Sequence, residues 1–238
     1  MSALLRPGVA LLTLLLAIAF AVSPFVVMDF DGFDPNQFPV PQEDPPVQPA
    51  GYAFSIWGLI YLWLGVGMAW GLIRAPRDGQ WHEMRLPLCL SLAVGTVWLA
   101  VAVASPVWAS VLIWVMLLSA LAALFIAPRY DVVWAAWPVG LYAGWLSAAS
   151  CVSLGLLAAG YGVMDEVTAA LVFVGIAIVL AVVVQSALRR VPTYGVAVIW
   201  ALVAVAVQNW GVTPAVAYLA LGGAVFMLWP TVRAYQLA

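Results

Sequence analysis

Eight apolar runs of membrane-spanning length, divided by short breaks, constrain this chain more than any other feature of its sequence. A helix needs about 20 mostly apolar residues to cross the hydrocarbon core of a bilayer. In lipid the backbone must satisfy its own hydrogen bonds, so such runs fold as helices. They lie near residues 5–28, 52–73, 86–104, 107–127, 138–160, 167–188, 194–208 and 215–232, the seventh being the shortest. Only Ser105 and Pro106 separate the third from the fourth, which predicts a tight helical hairpin. The expected fold class is all-α, a polytopic integral membrane bundle of about eight transmembrane helices. Apolar types make up 66% of the chain and charged types 8%, where a soluble domain carries roughly a quarter charged residues. This excludes a disordered chain, a nucleic-acid-binding module and an ordinary cytosolic enzyme.

The charges sort by side. All eight basic residues are arginine, namely Arg6, Arg74, Arg77, Arg85, Arg129, Arg189, Arg190 and Arg233. With an even number of spans and the N-terminus inside, every one falls on the cytoplasmic side, as the positive-inside rule requires. Asp29, Asp31, Asp34, Glu43, Asp44, Asp165 and Glu166 then face the opposite compartment. The expected location is the inner (cytoplasmic) membrane of a bacterium, with both termini cytoplasmic and the loop 29–51 periplasmic. Arg6, the run to Phe20 and the small residues Ala19 and Ala21 also fit a signal peptide; we read the segment as a retained span.

Six prolines (Pro35, Pro39, Pro41, Pro45, Pro46 and Pro49) make the loop 29–51 extended and exclude a helix there. Long loops between packed spans serve as lids, binding elements or spacers. A five-helix unit with this loop, 1–160, followed by a three-helix extension, 161–238, is the expected organisation. Cys89 and Cys151 lie inside apolar runs, which predicts no structural disulfide.

An ionisable residue at mid-membrane marks a proton relay, an ion path or a substrate site. Here Asp, Glu, Arg and the single His82 all fall at predicted span ends or in loops. That argues against a proton-coupled transporter, a pump or a cation channel. No histidine within a span means no two-histidine haem site, and a chain without lysine cannot form a retinal Schiff base. The acidic turn Asp29-Phe30-Asp31-Gly32-Phe33-Asp34 matches no full calcium loop. No catalytic and no metal-binding residue is predicted.

The spans offer aromatic surface instead. Of thirteen tryptophans, Trp81, Trp108, Trp134, Trp137, Trp210 and Trp229 lie near span ends, where indoles anchor at headgroups. Trp57, Trp63, Trp98, Trp114, Trp145 and Trp200 lie deeper. Phe54, Trp57 and Tyr61 share one face of the second helix; Tyr142, Trp145, Ala149 and Ser153 share one face of the fifth. Two such stripes could sandwich a flat apolar ligand, although spacing alone favours simple packing of the bundle. Gly67 with Gly71, Gly140 with Gly144, and Ser91 with Gly95 mark close helix approaches within the bundle, with dimerisation open.

Pro45-Pro46, then Phe54, Trp57 and Tyr61 at the head of the second helix, resemble the tryptophan-rich sensory protein family (TspO/MBR), which includes the mitochondrial translocator protein. Gly95-Thr96-Val97-Trp98 keeps the tryptophan of that family's third-helix motif and lacks its asparagine. Tyr142-Ala143-Gly144-Trp145-Leu146-Ser147 with Ala149 matches the fifth-helix motif, and Ser153 stands where it has asparagine. The resemblance covers about the first 160 residues, and longer members with extra C-terminal helices are similar to the rest.

The resemblance implies a pocket below the first loop that binds porphyrins, sterols or similar flat ligands. Its lining residues would be Phe54, Trp57, Tyr61, Trp98, Tyr142, Trp145 and Ser153. A porphyrin or related tetrapyrrole would be held without a covalent bond, and links to photosynthetic pigment control are known among bacterial relatives. The expected function is thus a membrane binding or sensory protein rather than an enzyme, with light-dependent porphyrin breakdown a family possibility. The alternatives are an accessory subunit of a larger photosynthetic or respiratory complex and a transporter of small uncharged apolar solutes. Expected partners are the lipid bilayer and a planar apolar small molecule, with a homodimer or larger membrane complex open and no nucleic acid.

Overall fold

The computed structural model describes residues 5–27 and 33–238. Asp29 and Asp31 of the acidic turn lie outside the described residues. Those described form eight α-helices: α1 Arg6–Val26, α2 Ile56–Arg74, α3 Gly79–Ala104, α4 Pro106–Phe125, α5 Trp137–Gly160, α6 Glu166–Ala187, α7 Pro192–Gln208 and α8 Pro214–Gln236. Seven are long and apolar enough to cross a membrane, and α7, with 17 residues, is the short one. This is a polytopic helical membrane protein. Short 3₁₀ turns occupy Pro35–Gln37 and Gly51–Ser55, and a π-helical turn at Val132–Ala136 leads into α5.

At the centre, α5 is buried along nearly its whole length. It packs on α2 and α4 and also on α6 and α7; α1 lies against α2 and α3, and α8 against α6 and α7. Small residues permit this density. A Cβ at Gly144 would run into the backbone carbonyl of Tyr194 on α7, and one at Gly67 into that of Trp134. The predicted small-residue pairs are therefore contacts within the bundle.

Polar side chains tie the helices together where lipid offers no competing partner. The Tyr142 hydroxyl pairs with Ser91 Oγ at 2.9 Å, and Ser91 Oγ donates to the Met116 carbonyl at 2.8 Å, linking α5, α3 and α4. Ser147 pairs with the Tyr194 hydroxyl at 2.9 Å between α5 and α7. Gln185 Nε2 donates to the Leu188 carbonyl at 3.1 Å, while Oε1 accepts from the Gly195 N–H, closing the α6–α7 turn. Both cysteines are free thiols.

Three expectations need correction at the arginine-bearing end. The third helix starts at Gly79, not near residue 86, because Asp78 caps it by accepting from the Trp81 N–H at 3.0 Å. The apolar pattern marks only the lipid-crossing part, and the cap carries the helix two turns further. Trp81 is consequently not a headgroup anchor: it is fully buried, seated against Gly71. Arg85 is likewise not in a loop: it stands at the end of the apolar run, inside the lengthened helix. It lies within α3, fully buried, with its guanidinium 4.9 Å from the Trp81 ring and Nη1 donating to the Ala75 carbonyl at 3.1 Å. Burial opposes ionisation of Asp78, but hydrogen bonds from the Trp81 N–H and the Tyr130 hydroxyl outweigh it and hold the carboxyl below its ordinary range. Tyr130 is pushed up to about 12, by desolvation first and then by Asp78.

Candidate functional site

At the other end of the bundle the proline-rich segment folds over the helices as a docked roof. Its prolines deny it a helix of more than one turn, so its backbone polar groups find partners elsewhere. The Val40 N–H donates to the Gly160 carbonyl at 2.9 Å, and the Ala50 N–H donates to the Ala204 carbonyl at 3.2 Å. Asn209 Nδ2 donates to the Pro46 carbonyl at 2.8 Å. Phe38 and Val47 are buried where Gly160 and Gly155 leave room on α5. The roof is thereby fastened to both α5 and α7.

Beneath it lies a cavity of about 850 Å³, within the range of small-molecule sites. Its walls come from six helices: Phe20 and Pro24 of α1, Trp57 and Tyr61 of α2, Trp98 of α3, Ile113 and Met116 of α4, Trp145 and Ala149 of α5, and Gln208 of α7. The roof contributes Phe33, Gln42, Asp44, Gln48 and Pro49, and Phe54 closes the side where α2 begins. A smaller apolar chamber of about 100 Å³ adjoins it between α5, α6 and α7, sharing Phe54, Trp98 and Trp145 and extending to Ser153, Phe173 and Leu202.

Of the residues expected to bind a ligand, Phe54, Trp57, Tyr61, Trp98 and Trp145 line the main cavity. Tyr142 sits behind them, fully buried and held by Ser91. Ser153 lines only the adjoining chamber, its hydroxyl donating to the Ser150 carbonyl at 2.8 Å. The two aromatic stripes meet directly. Phe54 and Trp145 pack edge to face at 5.8 Å, Trp57 and Trp145 do so at 6.2 Å, and Trp57 stacks on Tyr61 at 5.3 Å. They make one continuous wall, not the two faces of a sandwich. Several indoles are fixed by their N–H groups: Trp98 donates to the Ala109 carbonyl at 2.8 Å, and Trp200 to that of Ala53 at 2.9 Å, pinning the turn before α2.

Phe20 is the residue sequence reasoning missed most plainly. Its ring meets Tyr61, Trp57 and Tyr142 at 5.1–5.7 Å and anchors the wall to α1. A signal existed, since Thr13, Ala17 and Phe20 recur at helical spacing on one face and all are buried. Gln42 was missed too. It is 4% exposed, its Nε2 donates to the Val40 carbonyl at 3.1 Å, and its buried Oε1 accepts no hydrogen bond. Among the described residues no group of His, Cys, Asp or Glu could hold a metal ion.

The TSPO-like protein family profile matches residues 9–232, which takes in α6 to α8 as well as the five-helix part. No curated protein and no solved structure matches the chain.

Proposed function

From the premise that the chain belongs to the TSPO-like protein family, we propose that it holds a planar apolar ligand, a porphyrin or related tetrapyrrole in class, in the cavity under the roof. One observation carries this reading: a volume of about 850 Å³ bounded by ordered aromatic rings on one side and a fastened loop on the other. Rings of this kind offer large apolar area at little entropic cost, and a flat π-system can lie against them. We read the bound molecule as recognised rather than transformed, since the described wall is built chiefly of aromatic and apolar side chains, which suit holding a flat ring. The arginine distribution supports a bacterial inner membrane with both termini cytoplasmic and the roof periplasmic.

The test is a titration of the detergent-purified protein with a free-base porphyrin diester, following tryptophan fluorescence. Saturable quenching at near one ligand per chain is the expected result. Quenching that rises linearly without saturation, as for partitioning into the micelle, would refute the reading.

A further inference from the structure

The chamber beside the main cavity is a hollow that the chain leaves open by its choice of small side chains. Three helices contribute alanine to its lining, Ala148 of α5, Ala177 of α6 and Ala201 of α7, all buried. Protein interiors hold few voids larger than a water molecule, and a void forfeits the dispersion contacts of the side chains around it. A larger residue at any of these alanines would reclaim part of the space. The other walls are apolar: Leu156 of α5, Phe173 of α6 and Leu202 of α7 line it, as does Val47 of the roof, docked where Gly155 leaves room. Two polar side chains line the chamber without reaching the main cavity. The Ser153 hydroxyl is spent on the Ser150 carbonyl, and the Cys151 thiol is only a weak donor. Phe54, Trp98 and Trp145 border both spaces, so the chamber and the cavity meet at an aromatic mouth.

Resting on the reading of the main cavity as a ligand site, we propose that the chamber is a second subsite of it, which takes a short unbranched apolar arm of the ligand, about two to four carbons long. The limit comes from size. At about 100 Å³ the chamber is smaller than the roughly 150 Å³ apolar cavity that stays dry and holds a benzene ring. A charged or hydroxylated arm would find no partner there and would be disfavoured by desolvation. Apolarity alone does not select the arm, because a ligand that arrives from lipid leaves surroundings as apolar as the chamber. Selection comes from fit, through dispersion contacts that an arm of the right length gains and a longer one loses to crowding. The aromatic wall holds the plane of the ligand, and α6 and α7, which supply the outer walls of the chamber, read its periphery.

The probes are four free-base porphyrin dimethyl esters of one skeleton that carry hydrogen, ethyl, butyl or octyl at the same two ring positions. Each is titrated into the full chain in one mild detergent, following tryptophan fluorescence. Affinity should peak at ethyl or butyl, and octyl should bind roughly tenfold more weakly than the best, the low end of what a misfit methylene costs in an apolar pocket. Partition into the micelle rises with every carbon, so affinity that climbs steadily through octyl overturns the proposal. Affinity indifferent to arm length does so too. Ala177→Leu fills the chamber from α6 and should move the optimum to hydrogen, whereas Phe173→Ala enlarges it and should move the optimum toward octyl. Micelle partition is the same for every variant and cancels in these comparisons. An optimum that stays in place in either folded variant overturns the assignment to this chamber, and the arm-length series on the unmodified chain decides the matter if neither folds. Should none of the four saturate, the cavity reading itself fails, an outcome distinct from saturation without a length optimum.

Discussion

Trp57 is the side chain on which the cavity wall turns, and its truncation separates ligand contact from general packing. The indole stacks on Tyr61 at 5.3 Å and 19° between planes, and meets Phe20 at 5.7 Å and Trp145 at 6.2 Å edge to face. Two of these three partners belong to other helices. Aromatic pairs contribute about 0.5–1.5 kcal/mol beyond area burial, so Trp57→Ala should cost the bundle on the order of 1–3 kcal/mol from the edge-to-face pairs with Phe20 and Trp145 alone. A ligand resting on the wall loses one ring contact, about 1 kcal/mol or roughly a fivefold rise in Kd. Trp229 on α8 is 75% exposed and far from the wall in sequence and helix order, so Trp229→Ala should change Kd less than twofold, within the scatter of surface substitutions. Quenching titrations with the porphyrin diester measure both, since the remaining tryptophans still report. Equal losses in the two variants would refute the placement of the ligand against this wall. An unchanged Kd in a Trp57→Ala protein that has lost stability would mean the rings are packing alone.

Gly144→Val should prevent stable assembly, because α5 and the Tyr194 carbonyl already touch there, whereas Gly175→Ala, with open space around it, should be neutral or gain up to about 1 kcal/mol in helix propensity; thermal aggregation in detergent compares them. Asn209→Ala removes the bond to the Pro46 carbonyl and should raise ligand association and dissociation rates together, more than it changes Kd, in stopped-flow quenching; a change in Kd with unaltered rates of exchange would contradict a roof that moves to admit ligand. Asp78→Ala removes the cap of α3 and should cost about 1 kcal/mol at neutral pH. The folded Asp78 carboxyl lies below its ordinary value, so its contribution is present above about pH 4 and is lost as pH falls through the folded value. The gap between wild type and variant should therefore close in acid, and a gap independent of pH would contradict the assignment.

Span positions and close approaches were legible because both are written in local pattern. Apolar length located the helices, and Gly67, Gly140 and Gly144 announced where backbones meet. The start of α3 was hidden because one side chain, Asp78, extends a helix past the apolar run that a membrane demands. Arg85 followed from it: a charge that reads as a loop residue becomes interior once the helix around it lengthens. The wall was half legible. Trp57, Tyr61 and Trp145 advertise themselves by spacing, yet whether two stripes face across a gap or touch depends on how closely α2 approaches α5. The roof was least legible, since the partners of Val40, Pro46 and Ala50 lie more than a hundred residues away.

The burial of α5 also sets an order of events during synthesis. Ser147 and its partner Tyr194 are 47 residues apart, a stretch that takes a ribosome roughly 2–10 s to translate. Through that interval the groove at Gly140 and Gly144 has been made and the helix that fills it has not. The nascent chain must therefore keep α5 shielded by lipid or by the insertion machinery, and the bundle can close only when α7 arrives.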